Sequence, residues 1–215
     1  MTIDKDNLLN SIMESMDRIQ HIKVDDIPNI DLYMDQVTTF MENKLKSTVR
    51  NPGEDKILTK TMINNYAKND LLPPPVKKKY SREHVIMLIF IYYYKGILSI
   101  NDIQSLLKPI SERYFLADGN LNLGAIYEEI FGLEKTQVDS LKEDILNKFE
   151  TAQTTFGDAS EEDQEILRMF SFIGLLSFDV YIKKLLIEKM IDSLNGTASE
   201  TETEAKNEGK ENKQK

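Results

Sequence analysis

Cysteine is absent from the 215 residues. That excludes a disulfide framework and any thiolate metal site, and it suits a reducing cytoplasm. Histidine is nearly absent. His21 and His84 are far apart in sequence and fall in different expected helices, and His84 reads as a surface residue in the first turn of its helix. No Gly-rich phosphate loop, nucleophile elbow or Glu-x-x-His ligand pair occurs. Glu128-Glu129 and Glu161-Glu162-Asp163 look like ordinary solvated helical turns. The chain is therefore expected to be non-enzymatic, with no cofactor and no metal.

Long apolar runs are also missing. The two candidates, 85–94 and 169–182, are shorter than the roughly 20 apolar residues a membrane span needs, and the second contains Ser171, Ser177 and Asp179. The first ten residues are polar and acidic, with no basic segment leading into an apolar one, so no secretory signal is expected. A cytoplasmic protein without membrane contact is the expectation.

What is present is helical periodicity. Forty per cent of residues are hydrophobic, enough for a buried core. Apolar side chains recur three and four apart at Leu8, Leu9, Ile12, Met13, Met16 and Ile19, and again at Leu32, Met34, Val37, Phe40, Met41 and Leu45. Asn51-Pro52-Gly53 is a turn signal. Thr59 reads as an N-cap, with Leu58 and Ile63 placed to form a hydrophobic staple. This helix ends near Asn69-Asp70, and Pro73-Pro74-Pro75 holds the following chain extended. Ser81 and Ser99 read as further N-caps. Gly96 is expected as a left-handed cap and Pro109 as a helix stop. Beyond it, 111–116, 123–131, 138–149 and 161–194 read as helices, and Met13, Met16, Met34, Met41 and Met169 as core filler. The segment 196–215 has no apolar side chain larger than alanine and is expected to be disordered. No β-alternation is evident.

Charge is unevenly spread. The net charge is −9. Yet the stretch 56–82 holds Lys56, Lys60, Lys68, Lys77, Lys78, Lys79 and Arg82 against the single acid Asp70. A short basic stretch in an acidic chain is what a focused phosphate footprint looks like, and also what a solvated lysine loop looks like.

The order of residues in 57–107 carries a resemblance. Thr61-Met62-Ile63-Asn64-Asn65-Tyr66 is followed by Asn69-Asp70-Leu71-Leu72-Pro73-Pro74, then Lys78-Lys79-Tyr80-Ser81. An apolar helix bearing Val85, Leu88 and Ile91 comes next, then Gly96-Ile97-Leu98-Ser99-Ile100-Asn101-Asp102-Ile103. This resembles the DNA-binding domain of the MerR family, and the whole chain also resembles an uncharacterised bacterial family catalogued as a domain of unknown function. The resemblance implies an all-α fold built on a winged helix-turn-helix. Its parts would be an N-terminal helical arm at 1–25, a helix-turn-helix domain with a short basic wing at 26–108, and a C-terminal helical region at 109–195 before the tail. It also implies binding to double-stranded DNA by a homodimeric transcription regulator, through Lys60, Thr61, Asn64, Asn65, Lys68, Lys77, Lys78, Lys79, Tyr80 and Arg82. The departures are specific. Asn64 and Asn65 stand where the family has an Arg-Tyr pair. Asp70 stands at the turn glycine and must take a left-handed conformation or pass that role to Asn69. The connection 48–58 is long for a helix-turn-helix. The competing expectation is a helical protein-interaction module that keeps the fold without binding DNA.

Overall fold

The computed structural model describes residues 5–18, 21–51 and 54–211, with side chains as far as 195. Among the described residues it is all-α apart from one short antiparallel strand pair and an isolated bridge between Val76 and Lys79. Eight helices follow in order: α1 (Lys5–Arg18), α2 (Met34–Leu45), α3 (Lys60–Lys68), α4 (Arg82–Tyr94), α5 (Ile100–Tyr114), α6 (Leu123–Gly132), α7 (Glu134–Gln153) and α8 (Glu161–Glu211). Two short strands, β1 (Leu32–Tyr33) and β2 (Lys79–Tyr80), pair antiparallel, with Leu32 opposite Tyr80 and Tyr33 opposite Lys79. No helix among the described residues is long and apolar enough to cross a membrane.

The centre of the fold is α4. Its residues from His84 to Ile91 are all buried, so the helix is apolar on every side and must be covered on every side. Val37 and Met41 of α2, Ile63 and Tyr66 of α3, Ile103 and Leu107 of α5, and Leu123 and Tyr127 of α6 belong to the same core. The Tyr127 hydroxyl donates a 2.7 Å hydrogen bond to the Ile22 carbonyl. That bond ties the two ends of this core together and satisfies a phenol that burial would otherwise leave without a partner.

Local capping explains where the helices begin. Thr59 Oγ1 accepts from the Met62 amide at 3.1 Å, with Leu58 and Ile63 both buried beside it. Ser99 and Asp102 form a reciprocal capping box, and Ser160 Oγ accepts from the Asp163 amide.

Several sequence expectations are corrected. α5 does not stop at Pro109 but runs through it to Tyr114. The missing proline N–H costs the helix one bond, but the residues beyond it, Ile110 packed on the core and Phe115 within it, hold the last turns down. The expected boundary at 108/109 therefore falls inside a helix, and the core continues through α6. Gly96 does not take a left-handed φ; α4 closes instead through the Ile97 and Leu98 amides, which both donate to the Tyr94 carbonyl. α8 continues to Glu211, across most of the segment whose composition suggested disorder, with 212–215 outside the described residues. α7 and α8 pack antiparallel beside the main core, joined by the Phe149–Phe172 ring contact, and Ile191 in the far part of α8 reaches into that core.

Candidate functional site

α3 is divided cleanly into two faces. Ile63 and Tyr66 are buried, and Met62 and Ala67 are half-buried. Lys60, Thr61, Asn64, Asn65 and Lys68 are all exposed. At 3.6 residues per turn these five fall within an arc of about 140°. The nine-residue helix is about 13 Å long, so it offers a compact polar face supported from behind by core residues.

The end of α3 is fixed by a left-handed residue. Asp70 has φ 54°, and the Leu71 amide donates to the Tyr66 carbonyl at 2.9 Å. This is the six-to-one bond of a Schellman cap. Asp70 thus takes on the strain itself rather than passing it to Asn69, whose φ is −100°. The Gln104 amide donates to the Asn69 carbonyl at 2.9 Å, bracing this cap from α5.

After the proline run the chain makes a two-residue hairpin. The Val76 and Lys79 amides donate to each other's carbonyls, at 3.1 and 2.9 Å. Lys77 and Lys78 between them have φ 51° and 64°, the pattern of a type I′ turn. That turn favours Asn-Gly, and lysine pays a steric cost at both positions. Both lysines are exposed. Lys79 is half-buried, with its ammonium 5.6 Å from the centre of the Tyr33 ring across the strand pair.

Lys60 of α3 pairs with Asp35 in the first turn of α2. Tyr33, immediately before that turn, is the strand partner of Lys79. The first turn of α2 therefore links the start of α3 to the base of the hairpin.

Two expected contact residues are engaged by the fold itself. Tyr80 is 3% exposed: strand side chains alternate, so with Lys79 outward Tyr80 faces the core. Arg82 donates from Nη2 to the Val24 carbonyl at 2.7 Å and anchors the start of α4 to the chain before α2. His84, expected at the surface, is also 3% exposed. Its Nδ1 accepts from the Ser81 amide at 3.0 Å, its ring meets Phe115 edge-on at 4.8 Å, and its Nε2 is buried without a hydrogen-bond partner, although the Pro73 and Pro74 carbonyls act on the ring. Burial pushes its pKa below the ordinary histidine value, against smaller opposing effects of those carbonyls, Glu83 and Asp31. Among the described residues no group of three or more His, Cys, Asp or Glu is placed to hold a metal ion.

The first part of the chain, from the core residue Ile22 through α6, coincides with a recognised family. A family model described as a domain of unknown function, DUF1836, matches residues 22–130, just over half of the chain. The chain belongs to this family. No curated protein and no solved structure matches it. The DUF1836 segment contains the whole candidate surface and nearly all of the main core, while α7 and α8 follow it.

Proposed function

We propose that this DUF1836 chain is a cytoplasmic, non-enzymatic regulator that binds double-stranded DNA as a homodimer through a winged helix-turn-helix resembling that of the MerR family. In this reading α3 is the recognition helix and the hairpin at 76–79 is the wing. The observation that carries it is the pairing of one polar helix face, Lys60, Thr61, Asn64, Asn65 and Lys68, with a lysine-tipped turn kept at positive φ. A left-handed backbone at a non-glycine residue costs stability and is enriched at functional sites, which supports a role for this tip. Lysines at such a tip suit phosphate contact, and asparagine on a helix can pair with adenine in the major groove. The net charge of −9 does not oppose this, because the basic residues are concentrated where the contact would form. Tyr80 and Arg82 serve the fold in this account.

Duplex binding measured across a salt series tests the proposal. Affinity should fall by about 0.9 log unit per log unit of salt for each phosphate contact, and replacing Lys77, Lys78 and Lys79 by alanine should flatten that slope for all sequences alike. Asn64→Ala should instead reduce discrimination between sequences, by about 1–3 kcal/mol at one base pair. Absence of duplex binding in dilute buffer would overturn the DNA reading. The second reading, a helical interaction module, would then stand; the bare apolar surface of α8 favours it.

A further inference from the structure

The connection from α2 to α3 is pinned to the end of α4 at two points. At its start, the Thr48 hydroxyl donates to the Leu45 carbonyl at 2.7 Å, so the Tyr92 hydroxyl, 2.5 Å away, donates to Thr48. At its end, the Lys95 ammonium donates to the Ile57 carbonyl at 2.6 Å. Between these two pins lies an open cavity of about 300 Å³. Thr48, Val49 and Lys56 line it from the connection, and Tyr92, Tyr93 and Lys95 from the end of α4. That volume is at the small end of the range for ligand cavities.

The lining carries one sign of charge. Lys56 and Lys95 stand on its two walls, and no carboxylate is among the lining residues. Lys56 is exposed, with no hydrogen-bond or ion-pair partner among the described residues. Glu54 and Asp55 precede it in the chain but do not line the cavity, and Asp55 accepts from the Asn51 amide at 3.0 Å. Lys95 is half-buried, with its ammonium 4.8 Å from the centre of the Tyr92 ring. Of the three N–H donors of an ammonium, Lys95 uses one on Ile57. Burial lowers its pKa below the ordinary lysine value, the mark of a cation short of solvation that a bound anion would replace. The remainder of the lining is apolar or aromatic: Val49 and the rings of Tyr92 and Tyr93, which meet edge to face at 5.6 Å.

We propose that this cavity binds a small aromatic carboxylate, its ring against Val49 and the two tyrosines and its carboxylate between Lys56 and Lys95. A carboxylate accepts from both ammoniums at once, in charge-assisted bonds stronger than neutral ones. A planar ring packs on tyrosines face-on or edge-on. Held by both lysines, the ligand ties the connection to α4 just ahead of the buried Leu58 and the Thr59 cap, where α3 begins. The site does not depend on DNA contact.

Calorimetric titration of the full chain with benzoate tests the proposal. Saturable binding at one site is expected, with a Kd of about 1 mM or below. The unfolding temperature should rise with benzoate, since a ligand that binds only the folded chain stabilises it. Acetate has the carboxylate without the ring, and benzamide has the ring without the charge. Each should bind at least about tenfold more weakly. Lys56→Ala removes an exposed side chain on which no fold contact depends, and should weaken benzoate binding by about three- to tenfold. Lys95→Met keeps the apolar stem, loses the ammonium and should abolish saturation. Because it also loses the bond to Ile57, its cooperative unfolding is checked first, and Lys56→Ala decides the matter if it does not fold. Acetate binding as tightly as benzoate would mean adventitious ion binding and overturn the proposal. Benzamide binding equally well would overturn the anionic class. No saturation up to about 10 mM benzoate, or an affinity unchanged in Lys56→Ala, would overturn the site itself. Benzoate binding in a chain that ignores duplex DNA would remove only the DNA reading.

Discussion

Lys60, at the start of α3, is held by Asp35 in the first turn of α2. Both side chains are well exposed, so the pair adds little to stability, about 0–1 kcal/mol at most. Its consequence lies in binding. A lysine on the candidate contact face is half-neutralised by a carboxylate that would itself stand near phosphate.

Asp35→Asn should therefore tighten binding to any duplex. Removing one repulsion and freeing one lysine should give a gain of about three- to tenfold in dilute buffer, and a salt slope steeper by about 0.9. Thermal stability should hardly change. Titrations of both proteins at several salt concentrations would measure this. An unchanged slope would mean that Lys60 does not reach phosphate.

The hairpin tip separates stability from function. Lys77 and Lys78 occupy the two left-handed positions of a type I′ turn, where Asn-Gly is preferred. Replacing the pair by Asn-Gly should raise the unfolding free energy by about 1–2 kcal/mol, since each lysine forgoes part of the left-handed penalty. The same change should weaken duplex binding and flatten its salt slope. Chemical denaturation and a DNA titration on one preparation would test both halves. A variant that gains stability and binds DNA unchanged would leave the lysines without a role at the tip.

Features set by near neighbours were legible in the sequence. Thr59 and Ser99 cap helices using amides three residues away, and Leu58 and Ile63 flank the first of these caps. The exposed face of α3 followed from a period of 3.6. Features set by distant residues were not legible. Arg82 looks like one more basic residue until the Val24 carbonyl, 58 positions away, is seen to accept from it. Tyr80 follows three lysines and looks like part of a basic tip, but its pairing with Leu32 turns it inward. Pro109 signals a stop locally and is overridden by core contacts on both sides of it. Asp35 gave no sign of its partner at Lys60, since the ion pair exists only because α2 and α3 meet. Only the two-residue strands escaped a reading based on alternation, because two residues are too few to alternate.

Asp70 offers a test of the cap. With φ 54° it pays a left-handed penalty, and its carboxylate sits at the negative end of the α3 dipole. Asp70→Gly removes both effects, while glycine loses more backbone entropy on folding. The expected net change is a gain of about 0.5–1 kcal/mol in urea unfolding. Because Asp70 is the only acid in 56–82, the variant should also bind duplex more tightly. A loss of stability would mean that the Asp70 side chain contributes more to the cap than its strain costs.

His84 should make the domain sensitive to acid. Its Nδ1 accepts from the Ser81 amide, so the neutral ring carries its proton on Nε2. Protonating Nδ1 would break that bond, place a positive charge at the N-terminus of α4, and do so in a site where burial already lowers the pKa. The folded state thus binds this proton less readily than the unfolded chain, whose histidine titrates near 6.5. Stability should be at its plateau above pH 6.5 and fall as the pH drops below it, by up to about 1.4 kcal/mol per pH unit until the folded-state value is reached. Of the charged groups that act on it, Glu83 and Asp31 oppose the shift but do not reverse it. His84→Gln keeps an acceptor for the Ser81 amide, as in an ordinary capping box, and loses the ring contacts with Tyr80 and Phe115. The variant should be less stable at neutral pH. The difference from the native chain should then shrink steadily between pH 6.5 and 5, where the native protein alone must give up this neutral imidazole. Urea unfolding at half-unit intervals across that range would measure it. A constant difference would show that His84 is not the group responsible for acid sensitivity.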